Sequence, residues 1–383
     1  MIMKVISIDI SGKVSKYDNA LYESLVSSAP KDCELLCMTP YQTFTNSLGN
    51  GFKLISLVPE KLSSSSSRFK RIVKALEGAI NYIRLGFFLK KNKANILHMQ
   101  WLPFLEVTGI EYYFLKWYKI LNPQLKIILT VHNIYPHNST ELNKYRYNKR
   151  FIKVKKHIDS YVVHTNNSVK ALNSEFGVLE ETVVVIPHGV FEPKNVPQRS
   201  RNDNKIRLLM FGFQSKYKGT DLLLEAFKLL PEDAKSIIDL HIVGITSADL
   251  HKQIEELSSY IEWRNTFVSD DELNEEIVNS DIVIYPYRAI SQSGALLLGL
   301  FFEKPMILAD LPSFLETLNG YPEELFFKTG SPEALASVIE FALTRDPQYW
   351  VNLKSILNTN KNNYSWLESA RQTFELYVNV NSN

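Results

Sequence analysis

Cysteine is nearly absent: Cys33 and Cys37, both inside the apolar run CELLCMTP, are the only two in 383 residues. Two thiols in one strand-like run provide neither a disulfide framework nor a four-ligand metal site, and they fit a reducing, cytoplasmic compartment. No apolar run approaches the roughly 18 to 20 residues that a membrane-spanning helix needs, so any membrane contact is expected to be peripheral, on the inner face of the cell membrane. The opening residues, MIMKVISIDI, lack the apolar core and small-residue cleavage site of a secretory signal and read as a first strand. No GxGxxG, Walker loop, HExxH or nucleophile elbow occurs, which removes the main support for dehydrogenase, kinase, metalloprotease and hydrolase readings. Charge of one sign is also lacking, since 43 basic and 41 acidic residues leave a net +2; the basic residues nonetheless crowd into 68–93 and 144–156.

What is present is a globular composition, 45% hydrophobic and 22% charged, on a chain long enough for two domains. Short β-branched runs alternate with longer helical patterns throughout, which predicts an α/β protein with doubly wound parallel sheets. In the first half, strands are expected at 4–10, 34–39, 53–58, 96–99, 126–131, 160–164 and 183–186. The polar stretch 192–204, EPKNVPQRSRNDN, reads as a linker between domains at 1–191 and 205–363. The second domain repeats the alternation, with strands expected at 206–211, 239–243, near Phe267, 281–285 and 306–309. A last helix from Tyr364 carries Trp366, Ala370, Phe374 and Tyr377 at helical spacing, to pack across a domain surface. Ligands of such sheets sit outside the carboxyl ends of the strands, and two facing domains would enclose a cleft there.

Four segments carry candidate chemistry. FGFQSKYKGT follows an apolar strand and places Lys218 and Gly219 at a helix N-terminus, where free N–H groups and the helix dipole favour a diphosphate. The same residues also suit a plain turn with Thr220 as helix cap. YPYRAISQSGALLL ends a strand and opens an apolar helix with Ser291, Gln292, Ser293 and Gly294, and offers Arg288 as a cation; strand, loop and buried helix explain the apolar part but not the SQSG run. TVHNIYPH puts His132 just past a strand, as ILHMQW does His98 and SGKVSKYDNA does Gly12; a lone histidine is more often structural. The stretch 68–93 combines apolar residues at helical spacing with many Lys and Arg, either a lipid-facing amphipathic surface or a helix with a basic solvent face.

The ordered succession TVHNIYPH, VVIPHGVFEP, LLMFGFQSKYKGTDLLLEAF, DIVIYPYRAISQSGALLLGLFFEKPMIL and YSWLESARQTFELY resembles family four of the glycosyltransferases, the group 1 type with the GT-B fold. That resemblance implies a retaining, metal-independent enzyme of the hexosyltransferase kind, with no cofactor beyond a UDP- or GDP-linked sugar. Its acceptor would be a glycan or a polyprenyl-diphosphate-linked sugar of cell-surface polysaccharide biosynthesis. By the resemblance, Lys218 binds the donor diphosphate, His132 lies beside the reacting sugar, Gly12 approaches the phosphates, and the final helix, 364–383, crosses back onto the first domain. Two positions depart from the family. Ser215 stands where an Arg is common, leaving Lys216 as the substitute cation, and Ser291 and Gly299 stand where two glutamates are usual. The missing glutamates keep a non-catalytic nucleotide-binding partner subunit as the alternative. A nucleotide-sugar epimerase would need a carboxylate pair at the cleft, and nucleic-acid binding lacks a recognisable module.

Overall fold

A computed structural model describes residues 2–46, 52–56, 68–136, 140–193, 195–201, 204–290 and 292–382. The chain divides into two compact units, the first comprising Met1–Gly189 with Ser365–Asn383 and the second Val190–Tyr364.

In the first unit, β1 (Met3–Ile8), β2 (Cys33–Met38), β3 (Thr43–Thr45), β4 (Ile96–Met99), β5 (Lys126–Thr130), β6 (Ser160–Val163) and β7 (Val183–Val185) form one sheet in the order β3-β2-β1-β4-β5-β6-β7. All pairings are parallel except β3 on the β2 edge. Helices α1 (Ser15–Ser27), α2 (Arg68–Asn92), α3 (Glu111–Leu121), α4 (Glu141–Val154) and α5 (Asn166–Phe176) cover it. Successive residues of the central strands, such as Val5 and Ile6 or Ile127 and Ile128, are all buried. A sheet covered on both faces reads in this way, as a continuous apolar run and not as an alternation.

The second unit holds β8 (Ile206–Phe211), β9 (Ile238–Val243), β10 (Ile261–Arg264), β11 (Ile282–Tyr285), β12 (Met306–Ala309) and β13 (Phe326–Phe327), in the parallel order β10-β9-β8-β11-β12-β13. Its helices are α6 (Thr220–Leu229), α7 (Glu232–Ile237), α8 (Ala248–Glu255), α9 (Asp270–Asn279), α10 (Gly294–Phe301), α11 (Pro312–Thr317), α12 (Pro332–Leu343) and α13 (Pro347–Lys361). The chain then returns to the first unit as α14 (Trp366–Ser382), where Ala370, Phe374 and Tyr377 are buried and the Ser369 hydroxyl donates to the Pro187 carbonyl at 2.6 Å. Both sheets are doubly wound, and the strand order reverses between β1 and β4 and between β8 and β11. Ligands of such sheets gather at the carboxyl ends of these strand pairs.

Three details differ from the expectation. No strand forms at 52–56, and 57–58 lie outside the described residues; the edge strand is instead β3, at TFT, whose three residues are too short to give a pattern. The strand expected near Phe267 ends at Arg264, leaving Phe267 80% exposed, because the edge strand IEWR alternates polar and apolar residues and shows no apolar run. The stretch read as a linker is tied to the second unit: Arg199 and Arg201 bind the two oxygens of Asp281 at 2.7 and 2.9 Å, and the backbone N–H groups of Ser200 and Arg201 donate to Asn279 Oδ1.

Candidate active site

In the second unit the site is built on the loops after β8 and β11. Gly212 has φ +94°, and a Cβ there would lie 2.5 Å from Lys218 Nζ, so the glycine makes room for the amine. Lys218 is 8% exposed; its Nζ donates to the Phe211 carbonyl at 3.3 Å, lies 5.4 Å from the centre of the Tyr287 ring, and has no carboxylate partner among the described residues. Burial pushes its pKa down, with Tyr217 working in the opposite direction. A buried ammonium without a counter-ion is costly unless an anion arrives. Gly219 closes this turn in the left-handed region at φ +73°, where a Cβ would sit 1.9 Å from the Pro286 carbonyl. Lys216, by contrast, is exposed.

Arg288 does not supply the free cation expected of it. Its guanidinium grips Asp221 with two bonds, at 2.7 and 2.9 Å, and donates to the Lys216 carbonyl at 2.8 Å, while its own N–H bonds the Tyr217 carbonyl. Its charge is already matched, and what it does is hold the Lys216–Lys218 turn against α6.

At the start of α10, Ser293 caps the helix by accepting from the Leu296 N–H at 3.1 Å, and its hydroxyl also bonds Tyr287, the ring beneath Lys218. The N–H groups of Gly294 and Ala295 have no acceptor within the helix. A Cβ on Gly294 would meet only Phe191, at 3.7 Å, so the approach to these donors is open. Both amide atoms of Gln292 are buried without a partner among the described residues. Ser291 lies outside the described residues. Gly299 has a packing reason: a Cβ would come 2.4 Å from the Tyr285 hydroxyl, which donates to the Ala295 carbonyl at 2.8 Å. Gly299→Glu is therefore expected to destabilise the second unit by about 2 to 4 kcal/mol in urea denaturation, through overpacking and a buried charge, and to add no activity.

In the first unit, Gly12 follows β1 at φ +66°, and a Cβ there would lie 2.8 Å from the Tyr41 ring. The loop around it is held by Asp9, which accepts from the Ser11 N–H and hydroxyl at 2.8 and 2.6 Å and from the Val14 N–H at 3.3 Å. Against Asp9 lies Asp18 of α1, fully buried, with no donor to either oxygen among the described residues. Burial, and then the charge of Asp9, holds the Asp18 pKa well above the carboxylate range. Sequence spacing did not single out this pair.

His132 stands at the end of β5 with company the sequence reading missed. His164 Nδ1 lies 2.9 Å from the Ile186 carbonyl, which only an N–H can satisfy, so His164 Nε2 is an acceptor. His132 Nδ1, 3.1 Å from it, must then carry the proton, which leaves His132 Nε2 as a bare lone pair; that atom is buried and unpartnered among the described residues. Burial, then the neighbouring His164 and His188, depresses the His132 pKa well below its ordinary value, with the Gln100 carbonyl opposing. The ring is therefore a neutral acceptor, suited to a sugar or acceptor hydroxyl. Tyr17 packs edge-on against it at 4.7 Å, and Trp101 lies 6.0 Å away. The missed signal is that His132 and His164 follow a β-branched run directly (TVH, VVH) and His188 follows one after a single proline (VIPH). His98, expected to join them, is buried, with both nitrogens bonded at 2.8 Å to Tyr377 and Thr130; it fastens α14 to the sheet.

Among the described residues no group of three or more His, Cys, Asp or Glu side chains is placed to hold a metal ion. Residues 205–345 match the family model described as glycosyl transferases group 1. An uncharacterized glycosyltransferase of Methanocaldococcus jannaschii is 26% identical over 240 residues, which cover 57% of this chain; the chain thus spans 59% of the length of that curated relative. The crystal structure of a glycosyltransferase from Rickettsia africae superposes with a TM-score of 0.67 at 18% identity, covering 100% of this chain and 99% of that one. HepE of Anabaena in complex with UDP and glucose does so with a TM-score of 0.68 at 14% identity, covering 98% of this chain and 100% of that one. Residues 205–345 are thus similar to the glycosyl transferases group 1, and the chain as a whole carries the two-unit α/β fold of the GT-B glycosyltransferases.

Proposed function

We propose that the chain is a retaining glycosyltransferase that moves a hexose from a UDP- or GDP-linked donor to a hydroxyl of a glycan or polyprenyl-diphosphate-linked acceptor, in the cytoplasm and without a metal ion. The observation that carries the reading is Lys218, a buried cation with no carboxylate partner among the described residues, set in a glycine turn beside the open N-terminus of α10. The second unit binds the donor: Lys218 and the N–H groups of Gly294 and Ala295 take the diphosphate, and Gln292 offers an amide to the sugar or nucleotide. As the anomeric C–O bond breaks, its electron pair passes to the diphosphate oxygen, and these groups stabilise the charge that develops. The acceptor hydroxyl oxygen forms the new C–O bond on the same face and its proton goes to a phosphate oxygen, giving glycoside and nucleoside diphosphate. His132 Nε2 accepts a hydrogen bond from a sugar hydroxyl and orients it, and the Gly12 loop lets backbone approach the donor.

The HepE neighbour, crystallised with UDP and glucose, favours a uridine donor. A thermal-shift screen against UDP, GDP, ADP, CMP and their sugars, with EDTA present, tests the reading. One nucleoside diphosphate is expected to stabilise the fold by about 2.7 kcal/mol at a hundred times its Kd. No shift with any of them removes the donor assignment. The absence of glutamate at 291 and 299 favours one second reading, a nucleotide-binding subunit without turnover; stabilisation with no transfer to any acceptor would select it.

A further inference from the structure

The solvent side of α2 is unusually apolar for a surface helix. Ile72, Leu76, Ile80, Ile83 and Phe87 are 60, 58, 41, 46 and 60% exposed, and their spacing of three and four residues sets them in one stripe. At about 1.5 Å per residue the stripe runs about 22 Å. It continues onto α3, where Phe87 meets Trp117 edge-on at 5.4 Å and Tyr113 and Ile120 are 69 and 66% exposed. Gly86 makes this junction: a Cβ there would lie 2.2 Å from the Trp117 ring. Ile83, Phe87, Tyr113, Phe114 and Trp117 line a shallow hollow of about 360 Å³.

Charge decides what such a face fits. Each of the two helices contains a single acid, Glu77 in α2 and Glu111 in α3, and both are buried, so neither helix shows a carboxylate to solvent. Lys90 and Lys91 at the end of α2, Lys93 just beyond it, and Lys116 on α3 are exposed cations. Pairing this face with the same face of a second copy would set lysine against lysine. We propose that the α2–α3 face docks on a lipid bilayer bearing anionic headgroups. The Ile72–Phe87 stripe and the Tyr113 and Trp117 rings enter the headgroup–acyl boundary, and the lysines lie along the phosphates. Long basic side chains reach the headgroups while their stems lie on the apolar stripe. Bound in this way, the first unit would meet an acceptor carried in the membrane without a spanning helix; among the described residues no helix is long and apolar enough to cross one. The inference stands on this surface alone and does not depend on the transfer reading.

The test is flotation of the full chain with vesicles of phosphatidylcholine, with and without phosphatidylglycerol, at about 0.05 M and 0.5 M salt, where screening of surface charge differs several-fold in length. Binding is expected on the anionic vesicles at low salt and at least tenfold less on neutral ones. The double variant I83E/F87E changes only exposed side chains and is expected to keep its melting temperature while losing binding at least tenfold. K90E/K91E should weaken binding on anionic vesicles and make it insensitive to salt. Tryptophan quenching by brominated acyl chains should fall in Trp117→Phe, which reports insertion and not mere adhesion. Absence of binding to anionic vesicles at low salt, or binding unchanged in I83E/F87E, overturns the proposal. A concentration-dependent dimer abolished by the same variant would reassign the face to self-association.

Discussion

Lys218→Met is expected to lower kcat/KM for the nucleotide-sugar by about 10² to 10³-fold, the scale seen when one charge-stabilising donor is removed from a transfer site, while the fold becomes no less stable. The two effects have one cause. The ammonium is buried without a carboxylate among the described residues, and its pKa is held below the ordinary lysine value, so the folded chain binds its proton less well than the unfolded chain does. A depressed lysine subtracts stability at neutral pH, and that loss eases only as pH rises toward the unfolded value. Methionine fills a similar volume without charge and removes the deficit. Urea denaturation should place the variant at or above the parent, and the KM for donor should rise along with the fall in kcat. Lys218→Arg should recover little, because Gly212 leaves room for a slim amine and not for a planar fork. Near-parental turnover in Lys218→Met would remove the diphosphate assignment.

The second large effect is acid instability of the first unit. Burial drives His98 and His188 down to about 3 and His164 to about 4, against an ordinary value of 6.5, and His132 and His157 fall in the same direction. Below pH 6.5 the unfolded chain binds protons at these positions more readily than the fold does, so stability is lost as pH falls. Two carboxyls oppose this. Glu111 is raised by burial to about 7 and Asp18 well above the ordinary carboxylate range, so the fold keeps protons on them that the unfolded chain releases above 4.5 and 3.8 respectively. Between about pH 4.5 and 6.5 the depressed histidines outnumber the two raised carboxyls, so the first unit loses stability as pH falls. Below the unfolded carboxyl values the opposition ends and the loss steepens until the buried rings themselves take protons. Hydrogen exchange in β4 and β5 between pH 7 and 4.5 measures it, and His98→Gln should reduce the slope by about 1.4 kcal/mol per pH unit. A flat profile would mean that the rings are charged in the fold.

The alternation of strand and helix was legible because a parallel sheet buried on both faces writes itself as apolar runs, as in β1 and β8. The same rule fails at the sheet edges, and β3 and β10 are where the reading slipped. Site residues on a single loop were also legible: the residues of the Lys218 turn and of the α10 cap stand a few positions apart. Pairings across the fold were not. Nothing local says that Arg288 will meet Asp221, 67 residues earlier, or that His132 will lean on His164, 32 residues later. Those contacts depend on strand order. Asp18 escaped for another reason, since nothing in its local sequence says that its carboxyl will be buried against Asp9.

The first unit is written in two pieces. The hydrogen bond between Tyr377 and His98 closes over 279 residues, and Gly189 packs so closely on Trp366 that a Cβ would lie 2.5 Å from the Trp366 backbone nitrogen. The second unit likewise has its own ends tied, Val190 N–H to the Tyr364 carbonyl at 3.1 Å. Topologically it is an insert with meeting ends, able to complete itself during synthesis as soon as its last residues emerge. The first unit, though begun earlier, must wait with the α14 side of its sheet uncovered until the final helix is made. A nascent or truncated chain is thus most exposed to chaperones and proteases in its oldest part.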